Sequence, residues 1–418
     1  MEVSTVKDTI QRVVQRVDAE EVLSFVKELV AKNTVESEEP VVPVVAERMR
    51  AIGMEVEIHE SHNPAAPERK GPCILGTLRG RRARPLLCFN GHTDVVPVEF
   101  PEKWSHPPFE PVVEGGRLYG RGTCDMKGGL GAMIMAVQSI VDAGVALNGT
   151  LAVAAVPGEE TGGWGTASMA GREAWDGVVV GEPTGLSINP ACNGITSLWI
   201  RVAGRSAHAS MPERGINAID KMVRVMNALE DYRVELSSRV HPLTGTPAFV
   251  PCIIEGGWRG VIVADECRLH VTTHLVPGET AESRFTEVRD ILERLMGEDP
   301  ELQVELLDWN AEPVTLPFPA DGPRHPRLDP TEVPVEAAVV QAMLRGSRDA
   351  LDDELPMGGS RYACDTPFFV NEAKAPALVF GPGSIDQAHT YDEWVEIEQL
   401  VKATKVYAAG ALRFLGHE

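Results

Sequence analysis

The chain has 418 residues, 43% apolar and 24% charged, enough for a sizeable core divided among two or three domains. Its 39 basic against 61 acidic residues give a formal charge of −22, which argues against nucleic acid or an anionic membrane as a partner. No run of about 18 apolar residues occurs, and residues 1–20 are polar and mixed in charge, so neither a membrane span nor a secretory signal is expected. The seven cysteines (Cys73, Cys88, Cys124, Cys192, Cys252, Cys267 and Cys364) are odd in number, scattered and without CxxC spacing. They suggest neither a disulfide framework nor a thiolate zinc site, and a reducing cytoplasm is the expected location.

Residues 19–31 place Val22, Phe25, Val26 and Leu29 on one face, the pattern of an amphipathic helix. A second helix is predicted over 41–52 and stopped by Gly53, after which 53–60 alternate as a strand. Short apolar runs at 74–78, 85–90, 150–156 and 176–181 have the length of buried, mostly parallel strands, with a helix at 127–143 among them. From about residue 194 the pattern changes. Residues 196–203 and 267–275 alternate, and helices are predicted at 216–230 and 280–296. After a Pro-rich stretch at 313–334, a helix at 335–350 and a strand at 377–381 return to the first pattern. The predicted fold is α/β: a main domain over 1–194 and 308–418, with a mixed, mostly parallel sheet flanked by helices, interrupted by a smaller α+β domain at 195–307.

Five clusters carry candidate chemistry: three come directly after apolar strand runs, where α/β sheets place their ligands, one leads into the helix at 127–143, and one lies a few residues beyond a strand. Gly91-His92-Thr93-Asp94 comes directly after the run 85–90; His92 can offer one ring nitrogen to a metal, with Asp94 as acceptor for the other. Alone, such a histidine is more often structural. Asp125, in Gly120-Arg121-Gly122-Thr123-Cys124-Asp125, can bridge two cations or simply cap the helix after it. Glu159 and Glu160 come just after 150–156; as buried neighbours they repel unless a metal binds one and leaves the other to take a proton from water, and the plainer reading is a solvated turn. Glu182 ends the run 176–181, and His389 lies a few residues past 377–381; singly they read as a turn residue and a loop histidine. Jointly, two histidines and four carboxylates gather at the strand ends of one domain. Nitrogen and oxygen donors without thiolates suit Zn²⁺, with Mn²⁺ or Co²⁺ as alternatives, in a hydrolytic two-metal centre.

In order and spacing, GHTDVVP, GRGTCDMKGG, PGEETGG, GEPT and AHTYDE resemble the motifs of the M20 metallopeptidases and deacylases, a family that includes acetylornithine deacetylase and succinyl-diaminopimelate desuccinylase. The resemblance implies a catalytic domain with an inserted lid, and a reaction that cleaves an amide-type C–N bond of a small molecule with two divalent ions. It implies one ion on His92 and Glu182, the other on Glu160 and His389, and Asp125 between them. Glu159 would be the general base that deprotonates water and then protonates the leaving amine, and Asp94 would orient His92. Gly204-Arg205-Ser206-Ala207-His208 resembles the family's lid motif. It implies a homodimer joined through the lid, with His208 reaching the partner's site to bind the oxyanion.

Three positions depart from the family pattern. Val261-Ile262-Val263-Ala264-Asp265 lacks the usual Asn and Pro, His274 stands where Arg is usual, and Pro367 replaces the Arg of a Cys-Asp-Met-Arg stretch. Arg-to-His loses the bidentate fork that grips a carboxylate. Arg361 or Arg259 could replace the cation, although both also read as surface arginines. The substrate is therefore expected to differ from the common N-acyl amino acids. With the same metal centre, the alternatives are a dipeptidase or hydrolytic removal of an amino group from an aromatic ring. A catalytically dead relative is disfavoured, because Glu159 and all five ligands are present. Cys124 reads as a small packed residue rather than a nucleophile.

Overall fold

The strand Thr150–Val156 has every position buried, which its seven-residue apolar run requires. In the computed structural model, which describes residues 6–64, 66–308 and 328–417, this strand lies inside a nine-stranded sheet. Thr150–Val156, Leu86–His92, Gly177–Val180 and Ala377–Val379 run parallel, each paired to the next. Ala66–Leu78 joins one side antiparallel, with Glu55–Asn63 beyond it, and Ile188–Cys192 joins the other side antiparallel. The sheet is therefore mixed, with a parallel centre.

Register sets the level at which these strands end. His92 pairs with Val156, Asn90 with Val180, and Val180 with Val379. The parallel strands thus end level with one another, and the residues after each strand emerge along one edge.

Helices bury this sheet. Ala19–Val30 begins at Asp18, whose carboxylate accepts the backbone N–H groups of Glu20 and Glu21, and it buries Val22, Phe25, Val26 and Leu29, the predicted face. The predicted helix at 41–52 is a 3₁₀ turn, Glu39–Val41, running into Val42–Ala51. Lys127–Asp142 is buried along most of its length, and Ile397–Leu415 is buried through Val406–Leu412, so their apolar runs are core. No helix among the described residues is long and apolar enough to cross a membrane.

The chain divides into two units: Met1–Ala191 with Thr331–Ser360 and Cys364–Glu418, and Cys192–Pro330 with Arg361–Ala363. The second holds a four-stranded antiparallel sheet in the order Ala248–Gly256, Glu266–Leu275, Gly194–Ala203, Gln303–Asp308. Burial alternates without a break along Glu266–Leu275, whose inner positions pack with Ala218–Leu236 and Ala281–Glu298. Ala248–Gly256 lies at the sheet's edge and exposes Val250, Ile253 and Ile254. Residues 309–327, which include most of the Pro-rich stretch 313–334, lie outside the described residues.

Candidate metal centre

His92 is the last residue of its strand and is buried. Its Nδ1–H donates to the backbone carbonyl of Asp94 at 3.0 Å, which directs Nε2 inward. There Nε2 lies 2.9 Å from Asp125 Oδ1 and 3.6 Å from Glu182 Oε1. The other oxygen of Asp125, Oδ2, lies 3.3 Å from His389 Nε2, which also stands 3.1 Å from Glu160 Oε2. His92, Asp125 and Glu182 form one group, and Asp125, Glu160 and His389 another; in each, the ligand atoms lie within 4.8 Å of one another. Asp125 belongs to both and turns one oxygen towards each histidine.

The plainer readings of these residues meet specific geometry. Asp125 is not a helix cap: the helix starts at Lys127, its N-cap residue is Met126, and it has no side-chain cap bond. Glu182 is buried, and its Oε1 has no hydrogen-bond partner among the described residues. Such an orphaned carboxylate oxygen is costly unless a cation meets it.

The turn bearing the paired glutamates is set by Gly158. Its φ is +74°, and a Cβ there would lie 2.0 Å from the Trp164 ring, so no side chain fits. Asp94 then holds the turn from the other side: its carboxylate accepts the backbone N–H of Glu159 at 3.2 Å and of Glu160 at 3.0 Å. The same carboxylate is 3.5 Å from His92 Nδ1.

Charge is unbalanced here, with carboxylates outnumbering imidazoles. Burial, reinforced by the Glu182 charge, pushes Glu159 well above the usual carboxylate range. Burial likewise raises Glu182, against the pull of His92, and raises Glu160 together with the charge of Asp125. Asp125 moves the other way: despite burial, its bonds to His389 and His92 hold it below the usual range. Burial opposes the charged form of His92, yet Glu182, Asp125 and Asp94 keep it well above its ordinary value. His389, bonded to Asp125 and Glu160, is pushed up to about 11. Protons occupy positions that divalent cations suit, and the all-N/O donor set fits such ions.

Cys124 is buried, donates to the Ser384 carbonyl at 3.2 Å, and is held well above its ordinary pKa by burial and the Glu393 charge, so it is a packed thiol. His208 belongs to the second unit and is exposed, its Nδ1 accepting the Ser210 N–H at 3.2 Å. Val261 is exposed, His274 sits on Glu266–Leu275, and Arg259 and Arg361 are both exposed.

Two buried acids stand inside motif stretches without a role having been read for them: Glu393 ends AHTYDE, and Asp365 is the acid of the stretch that ends at Pro367. Glu393, four residues after His389, accepts the N–H groups of Cys124 and Asp125. Asp365, raised to about 6 by burial, accepts Thr166 Oγ–H, and Thr166 in turn accepts Asn90 Nδ2–H at 3.2 Å. The sequence signal for each is its place within a motif stretch, which does not say what its carboxylate binds.

Candidate ligand residues gathered near the strand ends of a parallel-centred sheet, with adjacent glutamates among them, have the make-up of a metallohydrolase centre. The family described as peptidase family M20/M25/M40 matches residues 88–413, and the chain belongs to it. The chain is therefore an enzyme that hydrolyses amide-type C–N bonds. It is 30% identical over 359 residues to the N-formyl-4-amino-5-aminomethyl-2-methylpyrimidine deformylase of Bacillus subtilis strain 168, covering 80% of this chain and 81% of the relative. It is 31% identical over 378 residues to the acetylornithine deacetylase of Proteus mirabilis, covering 87% of each. In fold it is similar to a dinuclear metal-binding M20 peptidase of Bacillus subtilis, with a TM-score of 0.68, 13% identity, and 95% and 98% of the two chains covered.

Proposed function

We propose that the chain is a dinuclear metal amidohydrolase. His92, Asp125 and Glu182 hold one divalent ion; Asp125, Glu160 and His389 hold the other. The observation that carries this is Asp125, whose two oxygens face two different histidines, each with a further carboxylate beside it. When bound, the ions supply the positive charge that makes water acidic and polarises the scissile carbonyl. Zn²⁺ suits the donors best, with Mn²⁺ or Co²⁺ as alternatives. Glu159 is the general base: it takes a proton from the attacking water and returns it to the leaving amine. Asp94 holds Glu159 and Glu160 by their backbone amides and stands beside His92. His389→Ala and Glu160→Ala should each lower bound metal from two ions towards one; unchanged stoichiometry refutes the ligand assignment.

The second unit is proposed as a lid and dimerisation domain. Its edge strand Ala248–Gly256, with exposed Val250, Ile253 and Ile254, is a surface suited to strand pairing with a second copy. Seven free cysteines suit the cytoplasm as the location.

For the substrate we propose an N-acylated amine without an α-carboxylate. His274 and Pro367 stand where relatives commonly carry arginine, and the Bacillus subtilis relative is named for a formylated aminopyrimidine. The test is the metal-reconstituted enzyme on a panel: that formylated aminopyrimidine, N-acetylornithine, N-succinyl-diaminopimelate, dipeptides and aminobenzoates. A kcat/KM at least about a hundredfold higher for the formylated aminopyrimidine than for N-acetylornithine supports the reading. The reverse order overturns the substrate class but leaves the metal centre standing. Ammonia released from an aminobenzoate assigns the centre to aromatic deamination instead.

A further inference from the structure

We propose that Glu393 is a positioning residue that fixes the His389 loop to the Asp125 loop, and thereby sets the affinity for the ion at the Asp125–Glu160–His389 position. The inference rests on the two-metal reading of the site.

Glu393 is fully buried. One carboxylate oxygen accepts the N–H of Cys124 at 2.8 Å and of Asp125 at 3.1 Å; the other accepts Arg121 Nη1–H at 2.7 Å. The Glu393 backbone carbonyl accepts the Gly120 N–H at 2.9 Å. All four bonds fall on the loop 120–125, so Glu393 grips the segment that ends in the shared carboxylate. Its neighbour Asp392 accepts the N–H groups of Ser105 and His106, which pins the same turn from outside.

The chain from His389 to Asp392 needs such anchors. His389 has φ +59° and Asp392 φ +49°, a left-handed conformation that non-glycine residues keep only where their surroundings impose it. The two histidines also differ in support. The His92 side chain is wholly buried on a strand, whereas that of His389 is 54% exposed. Packing therefore places His92, while loop anchorage places His389. Loss of the Glu393 carboxylate is felt mainly at the second position.

The experiment is calorimetric titration of the metal-free full-length enzyme with Zn²⁺, with bound metal counted by atomic emission, for wild type and Glu393→Gln. Gln keeps the side-chain volume but turns an amide NH₂ towards groups that are themselves donors. The expected result is two ions bound by wild type, and in the variant a dissociation constant raised about tenfold or more at one position while the other stays within about threefold. Equal shifts at both positions, or none, overturn the role of Glu393. If Glu393→Gln melts before titration is feasible, Arg121→Gln carries the test with the same asymmetric shift expected, because it removes the cation paired with Glu393. Wild type binding fewer than two ions overturns the two-metal reading, and this inference with it.

Discussion

The carboxylate of Asp94 accepts the backbone N–H of Glu160 at 3.0 Å and that of Glu159 at 3.2 Å, so one side chain holds both the proposed base and a proposed ligand. His92 Nδ1–H takes the Asp94 backbone carbonyl at 3.0 Å, with the Asp94 carboxylate at 3.5 Å. Asp94→Asn should therefore act mainly through the glutamate turn. Its amide NH₂ would oppose one of the two N–H donors, and kcat should fall by about 10- to 100-fold with a smaller change in metal affinity. A variant that loses metal at the His92 position while kcat at saturating metal is unchanged would contradict this.

Glu159 belongs to neither group of candidate ligands, although it adjoins Glu160 and is raised by burial and the Glu182 charge. That leaves it for the proposed role of base. Glu159→Ala should lower kcat by at least about 10²-fold while metal content stays near wild type. Near-wild-type turnover would remove Glu159 from the role of base.

The reach of the sequence depends on how local each signal is. Thr150–Val156 and the inner face of Ala19–Val30 are legible because burial imposes apolar residues at fixed spacing. The candidate ligands are legible as a group because His92 and Glu182 stand at or directly beyond such runs. Strand order is not, since it depends on pairings such as His92 with Val156 that no local pattern encodes. Ile397–Leu415 also escapes assignment: its first half carries a polar side with Glu398 and Lys402, but its second half, Val406–Leu412, is buried on every side and shows no helical period. Glu393 is visible as the end of AHTYDE, but its role is not, because its partners Arg121, Cys124 and Asp125 lie more than 250 residues away.

Removing the metals should leave an enzyme whose stability falls as pH rises. His389 is raised from 6.5 to about 11 in the folded chain, so its contribution is fully present below 6.5 and is lost as pH rises through about 11. Glu159, Glu160, Glu182 and His92 are raised as well, and they push in the same direction. Asp125, held low, opposes only in acid, where its stabilisation is lost as pH falls through its folded value. The metal-free protein should thus melt a few degrees lower at pH 8 than at pH 6. Zn²⁺ loading at pH 7 should release protons, measurable by calorimetry in buffers of different ionisation enthalpy. Zn²⁺ uptake without proton release would mean that neither the histidines nor Glu160 and Glu182 hold a displaceable proton in the metal-free site.

The Nδ1 of His208 accepts the Ser210 N–H, so the neutral ring carries its proton on Nε2 and presents a donor. A donor is what the oxyanion of a tetrahedral intermediate requires, and removing one such group costs about 10²- to 10³-fold in kcat. His208→Ala should show that loss with metal content unchanged. If His208 serves the partner subunit's site, mixing His208→Ala with Glu159→Ala subunits restores one complete site in each mixed dimer. Random exchange makes about half the dimers mixed, so activity should return to about a quarter of wild type. A residue acting within its own subunit would give no recovery, because every site would then lack either its base or its oxyanion donor.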